Sequence, residues 1–176
     1  MSSAIVGCAA KIAAALKDAG KDVGLVLSVP ETNSIGLAMI GSAGSLEDAM
    51  QRAAGDRNLT AVVMETDLFY RTDSQSASAF LSNCNKVILL DSLENDTTPE
   101  VDYVLPAGTF AESSGTLVNN EGRAQRFYQV FQPGNDMKSS WAWLDMMIHQ
   151  SEAARPFDDI VEEMAAAIPG FGGIKS

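Results

Sequence analysis

The sequence predicts an α/β fold: a mostly parallel sheet with helices on both faces, followed by a β-hairpin and C-terminal helices, as a single domain over residues 1–176. Three observations predict it. Short apolar runs that read as strands buried on both faces alternate with amphipathic segments, and parallel neighbours require such crossovers. A turn-forming Asn119-Asn120-Glu121-Gly122 separates two β-prone pieces. Two more helical periodicities then close the chain.

The elements follow in order. Ile5, Cys8, Ala9, Ile12, Leu16 and Ala19 recur at helical spacing before Gly20, which predicts an amphipathic helix with Lys11, Lys17 and Asp18 between the apolar positions. Residues 24–29, Gly-Leu-Val-Leu-Ser-Val closed by Pro30, predict the first buried strand. Ser45 caps a second helix that carries Glu47 and Asp48 in its first turn and runs to Ala54 before Gly55. Residues 59–65 predict the next strand through Val62, Val63 and Met64, and Asp73 or Ser74 opens a third helix through Phe80 and Leu81. Residues 86–90 and 102–105 complete a Rossmann-like series that ends at Pro106. Residues 115–130 predict the hairpin. Residues 141–150 predict a helix with Trp141, Leu144, Met147 and Ile148 on one face, and residues 157–168 another with Ile160, Val161 and Met164 inward. The glycine-rich residues 170–176 are expected to be mobile.

Composition excludes several classes. Apolar residues at 46% and charged residues at 20% supply one buried core, which disfavours collagen-like, disordered and disulfide-scaffold chains. With 23 acidic against 12 basic residues, the formal charge is −11 at pH 7, the wrong sign for a phosphate backbone, so no nucleic-acid partner is expected. The longest uncharged run, residues 32–46, contains Gly36, Gly41 and Gly44 and falls short of the roughly 20 apolar residues of a membrane span, so no direct membrane insertion is expected. Lys11, Lys17 and Lys21 lie within the amphipathic pattern and do not precede an apolar core, so no secretory signal is read and a soluble intracellular chain is expected. Cys8 and Cys84 share no metal-binding spacing and His149 stands alone, so no metal site is read. The cysteines are expected to be small buried hydrophobes, and His149 a structural cation near a helix C-terminus.

Ligands of open α/β sheets bind beyond the carboxyl ends of the strands. The segments there hold Glu31-Thr32-Asn33, Thr66-Asp67, Asp91-Ser92 and residues 109–114, which are polar but contain no nucleophile–base pair. Neither Gly-x-Gly-x-x-Gly nor G-x-x-x-x-G-K-[ST] occurs, so no standard nucleotide loop is read. Asp158-Asp159 and Glu162-Glu163 read as a solvated helix face. Trp141 and Trp143 point to different sides of their helix, one as a core anchor and one half-exposed. Asn119, Glu121 and Arg123 are expected to satisfy one another inside the hairpin loop, because a guanidinium offers five donors in a fixed fork.

The long segment from Leu105 to Phe127 carries the pattern L-P-A-x-T-F-A-E-x-x-G-T-x-x-N-x-E-G-R-x-Q. It resembles the signature of the molybdopterin oxidoreductase family, and in its closer form the branch of that family found in the peripheral arm of bacterial respiratory complex I. Supporting matches are Asn33-Ser34-x-Gly36, Glu65-Thr66-Asp67-Leu68-Phe69-Tyr70-Arg71, Ser140-Trp141-x-Trp143-Leu144 and Ile168-Pro169. The resemblance implies an excised piece of a larger subunit with a structural, non-catalytic role on the cytoplasmic side of the bacterial inner membrane, in a complex that passes electrons from NADH to quinone. It implies no catalytic residue and no cofactor in this piece, which by itself would be inactive, with iron–sulfur clusters held further toward the N-terminus of the parent. Asn119, Glu121 and Arg123 are implied as a vestigial cofactor-binding set, because the matching Asn and Arg of catalytic relatives lie near the pterin-guanine dinucleotide. The implied partners are the rest of the subunit and neighbouring peripheral-arm subunits, and sheet edges uncovered by excision predict self-association. A second implied reading is the pterin-guanine-dinucleotide-binding segment of a catalytic molybdenum enzyme such as a formate dehydrogenase. A third is an unrelated Rossmann-like binding domain.

Overall fold

A computed structural model describes residues 3–29, 31–41 and 44–173. Its centre is a parallel sheet of β1 (Thr60–Met64), β2 (Lys86–Asp91) and β3 (Tyr103–Pro106), in that order, with Met64 opposite Leu90 and Leu90 opposite Leu105. Side chains alternate along a strand, so Val87 and Leu89 of β2 share a face with Val63 of β1. That face packs on Ala53 of α3 (Leu46–Gly55), Leu68 of α4 (Leu68–Arg71), and Ala77, Phe80 and Leu81 of α5 (Ser74–Asn83). Leu90 faces the other way and is also fully buried, where α6 (Ser140–His149) meets β2. Helices therefore lie on both faces, as the apolar runs predicted.

Local sequence explains the helix starts. Ser45 and Asp48 form a reciprocal capping box at the start of α3, and the Asp73 carboxylate accepts the Ser76 N–H at the start of α5. At α4 the fully buried Thr97 hydroxyl accepts the Leu68 N–H and donates to the Asp67 carboxylate, both at 2.8 Å. The β2–β3 connection thus plugs the start of α4 with a hydroxyl, and no apolar side chain could replace both bonds.

The hairpin is β4 (Gly115–Val118) and β5 (Ala124–Phe127), antiparallel, with Val118 opposite Ala124. Helix α7 (Phe157–Ala167) follows, with Val161 buried and Ile160 and Met164 half-buried, as its periodicity predicted.

Several expectations are corrected. Residues 24–29 form no strand: Val26 is 88% exposed, and none of these residues joins the described sheets. A strand exists only through a ladder with a neighbour, and apolar propensity does not supply one. Pro30 lies outside the described residues. Within the uncharged run a short helix forms, α2 (Ser34–Ile40), and Leu68–Arg71 makes another that periodicity did not reveal. Cys8 is exposed on α1 (Ser3–Asp18), whose Ile5 and Ile12 are also open, whereas Cys84 is half-buried against the core and burial raises its thiol pKa. Ile148 is exposed because the inward side of α6 is set by Ala142 and Asp145. In the expected mobile tail, Phe171 is buried in a 3-10 turn, Pro169–Phe171, and Ile174, Lys175 and Ser176 lie outside the described residues.

The helix face expected to be merely solvated also makes ion pairs. Asp158 meets Arg126 of β5 at 2.5 Å, and Glu163 meets Arg155 at 2.8 Å. Arg155 in turn donates its N–H and Nε to the buried Asp145 at 2.8 Å each, and His149 Nε2 lies 3.4 Å from the same carboxylate. A buried charge is tolerable only when paired and hydrogen-bonded, which these donors achieve. Together they link α6, the connection after it, and α7.

The Arg155 N–H, with the guanidinium behind it, holds the Asp145 carboxyl below the usual carboxylate range. A lowered folded-state pKa stabilises the fold above the unfolded value of about 4 and loses that contribution as pH falls through the folded value. Asp145→Asn is therefore expected to lower the thermal midpoint at neutral pH, with its deficit against wild type shrinking progressively below about pH 4. Circular dichroism melts across pH check this, and a deficit that stays constant into acid contradicts it.

Candidate functional site

A crevice of about 500 Å³ opens beyond the carboxyl ends of the three parallel strands. Strand register builds its floor. Glu65 follows β1 and donates its N–H to Leu90 O at 2.8 Å, so it stands beside Asp91 at the end of β2. Glu65 adopts φ +49°, an unusual conformation for a non-glycine residue that turns the chain sharply out of the strand. Its carboxylate accepts the Ser140 hydroxyl at 2.5 Å, which anchors the start of α6 over the strand ends. The Asp91 carboxylate accepts the N–H groups of Ser92 and Leu93 at 2.7 and 3.1 Å and the Asn95 side-chain amide at 2.9 Å.

The walls come from the long motif. Phe110 and Phe127 stack with ring centroids 4.4 Å apart, and Trp141 faces the same space. The two tryptophans hold the rim by donating indole N–H bonds, Trp141 to Ser114 O at 3.1 Å and Trp143 to Pro106 O at 2.9 Å. Both are half-buried, so the expected half-exposed tryptophan is present but the core anchor is not, and the pair shares a role at the two ends of one loop. Asn33 Oδ1 accepts the Val118 N–H at 2.8 Å, joining the segment before α2 to the hairpin. A Cβ on Gly36 would overlap Asn33 Oδ1, so any larger residue there must displace the Asn33 side chain.

Two carboxylates line the crevice and no lysine, arginine or histidine among the described residues does. Neither Glu65 nor Asp91 takes part in a described salt bridge. The site is therefore acidic, aromatic and hydroxyl-rich, and its Ser140 hydroxyl is bonded to the Glu65 carboxylate.

Of the segments expected at the strand ends, Asn33, Asp91, Ser92, Ser113 and Ser114 do border the crevice. Asp67 instead caps α4, Thr66 accepts from Arg71 Nε at 3.0 Å, and Thr109 forms a capping box with Glu112. Glu31 is paired with Arg71. Periodicity did not bring out Ser140, which lies immediately before the predicted helix of residues 141–150 and opens the observed one.

Asn119, Glu121 and Arg123 lie at the hairpin tip and do not line the crevice. Asn119 Oδ1 accepts the backbone N–H groups of Glu121 and Arg123 at 3.0 and 2.9 Å, while Gly122 takes φ +77°, which glycine adopts at no steric cost. The Glu121 and Arg123 side chains are exposed and make no described hydrogen bond or ion pair, so the expected mutual satisfaction is replaced by one asparagine bonding to backbone. The arginine of this motif that the fold does use is Arg126, which lies between the rings of Tyr128 and Phe157, at 5.0 and 5.2 Å, and pairs with Asp158. Its Nε is buried without a hydrogen-bond partner.

The family model of molybdopterin oxidoreductases matches residues 2–148. The chain is 36% identical over 178 residues to the G subunit of the NADH-quinone oxidoreductase of Shewanella oneidensis, a match that covers 96% of this chain and 20% of that protein. The corresponding protein of Salmonella typhimurium is 37% identical over 184 residues, covering 99% of this chain and 20% of the relative. That of Pseudomonas fluorescens reaches 44% over 149 residues, covering 81% and 16%. The chain thus spans about a fifth of the length of the curated relatives it matches.

Three substitutions test this geometry. Asn119→Ala removes the acceptor of two backbone donors and is expected to cost about 1 kcal/mol of stability, whereas Arg123→Ala is expected to be near neutral. Chemical denaturation of both variants checks the contrast, and a larger loss in Arg123→Ala contradicts it. Gly36→Ala is expected to displace the Asn33 side chain, and faster amide exchange at Val118 is the measurement that reports it.

Proposed function

The chain belongs to the molybdopterin oxidoreductase family, and from that premise we propose that it is a structural, non-catalytic domain of the peripheral arm of an NADH:quinone oxidoreductase. The observation that carries this reading is the charge of the crevice. A pterin-guanine dinucleotide brings an anionic pyrophosphate, which proteins hold with cationic side chains or helix N-termini free to donate. The crevice instead meets it with Glu65 and Asp91, and the start of α6 is already covered by the Ser140–Glu65 bond. Residues of this kind do not fit the cofactor. Arg123, the basic residue the family motif would offer, is at the hairpin tip and is not part of the lining.

Electron transfer from NADH to quinone then belongs to the parent assembly, with its iron–sulfur clusters held elsewhere. Cys8 and Cys84 support that division, since they stand on α1 and at the end of α5 in unlike environments. The reading assigns the domain to contacts with the rest of its own subunit and with neighbouring peripheral-arm subunits. Exposed Ile5, Ile12, Leu25 and Val26 supply apolar surface for such contacts. No helix among the described residues is long and apolar enough to cross a membrane.

Calorimetric titration of the chain with GDP and with inorganic pyrophosphate tests the reading. Neither is expected to bind saturably at millimolar concentration. Saturable binding that Ser140→Ala or Glu65→Gln alters would restore the cofactor-binding alternative and overturn the structural one.

A further inference from the structure

We propose that the acidic crevice at the strand ends is a socket for an arginine side chain of a partner polypeptide. The inference rests on the reading of this domain as structural and names what its crevice does in assembly. Four features of the crevice select that occupant. Glu65 and Asp91 stand side by side at the ends of adjacent strands, bordering a cavity of about 500 Å³ with no described cation to balance them. Glu65 is exposed to this space, and among the described residues only the Ser140 hydroxyl engages its carboxylate, at one oxygen. The wall is aromatic, with the stacked Phe110 and Phe127 rings and the Trp141 indole. The chain as a whole carries −11, so its field attracts a cationic partner.

Guanidinium fits this set better than other cations do. It is planar and weakly hydrated, presents parallel N–H donors to a carboxylate, and stacks on aromatic faces. An ammonium is a compact, strongly hydrated point charge that gains less from the aromatic wall, and a metal ion would gain nothing from it. The rim indicates that the arginine comes on a polypeptide. Phe110 is 66% exposed, and Val130 and Phe131, both exposed, donate backbone N–H groups to Ala111 O beside it. This apolar lip matches residues that flank an arginine in a chain and has no counterpart in a small free guanidine.

The test uses nuclear magnetic resonance titration of the 176-residue chain, read at the Trp141 indole N–H, with the blocked tripeptide Leu-Arg-Leu and its lysine and citrulline counterparts. The arginine peptide is expected to give a saturable shift, bind about tenfold more tightly than the lysine peptide, and weaken as salt is raised. Citrulline, which keeps the shape without the charge, is expected to give none. Glu65→Gln and Phe110→Ala should each weaken the arginine peptide about tenfold or more, with the amide spectrum confirming that both variants fold. Blocked arginine amide should bind more weakly than the tripeptide. Equal binding of citrulline or lysine peptides, insensitivity to Glu65→Gln, or equal affinity for the free amide overturns the socket. None of those outcomes touches the structural reading, which falls only if pyrophosphate or GDP binds.

Discussion

Burial of β2 on both faces is the constraint from which the rest of this structure follows. Val87, Leu89 and Leu90 are all excluded from solvent, and burying a leucine contributes about 1.5–3 kcal/mol. A strand buried this way must be central, must have parallel neighbours reached by crossovers, and must be covered above and below. From that follow the β1-β2-β3 order, the packing of α3, α4 and α5 on one side, and the placement of α6 on the other. It also follows that the strands end together, so Glu65, Asp91 and the loop after Pro106 share one end of the sheet.

Polar side chains then fix what apolar packing leaves undetermined. Thr97 joins the β2–β3 connection to α4, Asn33 joins the segment before α2 to β4, and Asp145 joins α6 to the connection before α7. Each lies at a place where two elements would otherwise slide past each other. A lost partner at such a junction leaves a donor or acceptor unsatisfied, and that costs more than the bond contributes. The two tryptophans act similarly at the crevice rim, where their indole N–H groups hold loop carbonyls while their rings exclude water.

The crevice keeps the position of a ligand site in an open α/β sheet while its charge has the opposite sign from an anion-binding site. Position follows from the fold, because loops converge wherever parallel strands end. Charge follows from individual residues, here two carboxylates with no cation among the described lining residues. That separation between inherited geometry and local electrostatics is how one architecture serves different ends.

Much of this was legible in the sequence, for identifiable reasons. The strands near residues 60–64, 86–91 and 103–106, the capped helices α3 and α5, and the hairpin around Asn119-Asn120-Glu121-Gly122 each carry a signal that lies within a few neighbouring residues. The long motif from Leu105 to Phe127 identified the family for the same reason, being continuous along the chain. What the sequence could not decide was anything that depends on a distant partner. Residues 24–29 have strand composition but no ladder, and Ile148 has helical spacing but no surface to meet. The site divides in the same way. Its residue types and its place beyond the strand ends were written in the chain, but the meeting of Glu65 with Ser140, 75 positions away, arises from tertiary packing alone. Local propensity acts over a few residues, whereas convergence of side chains requires the register and layer order that only burial of the sheet imposes.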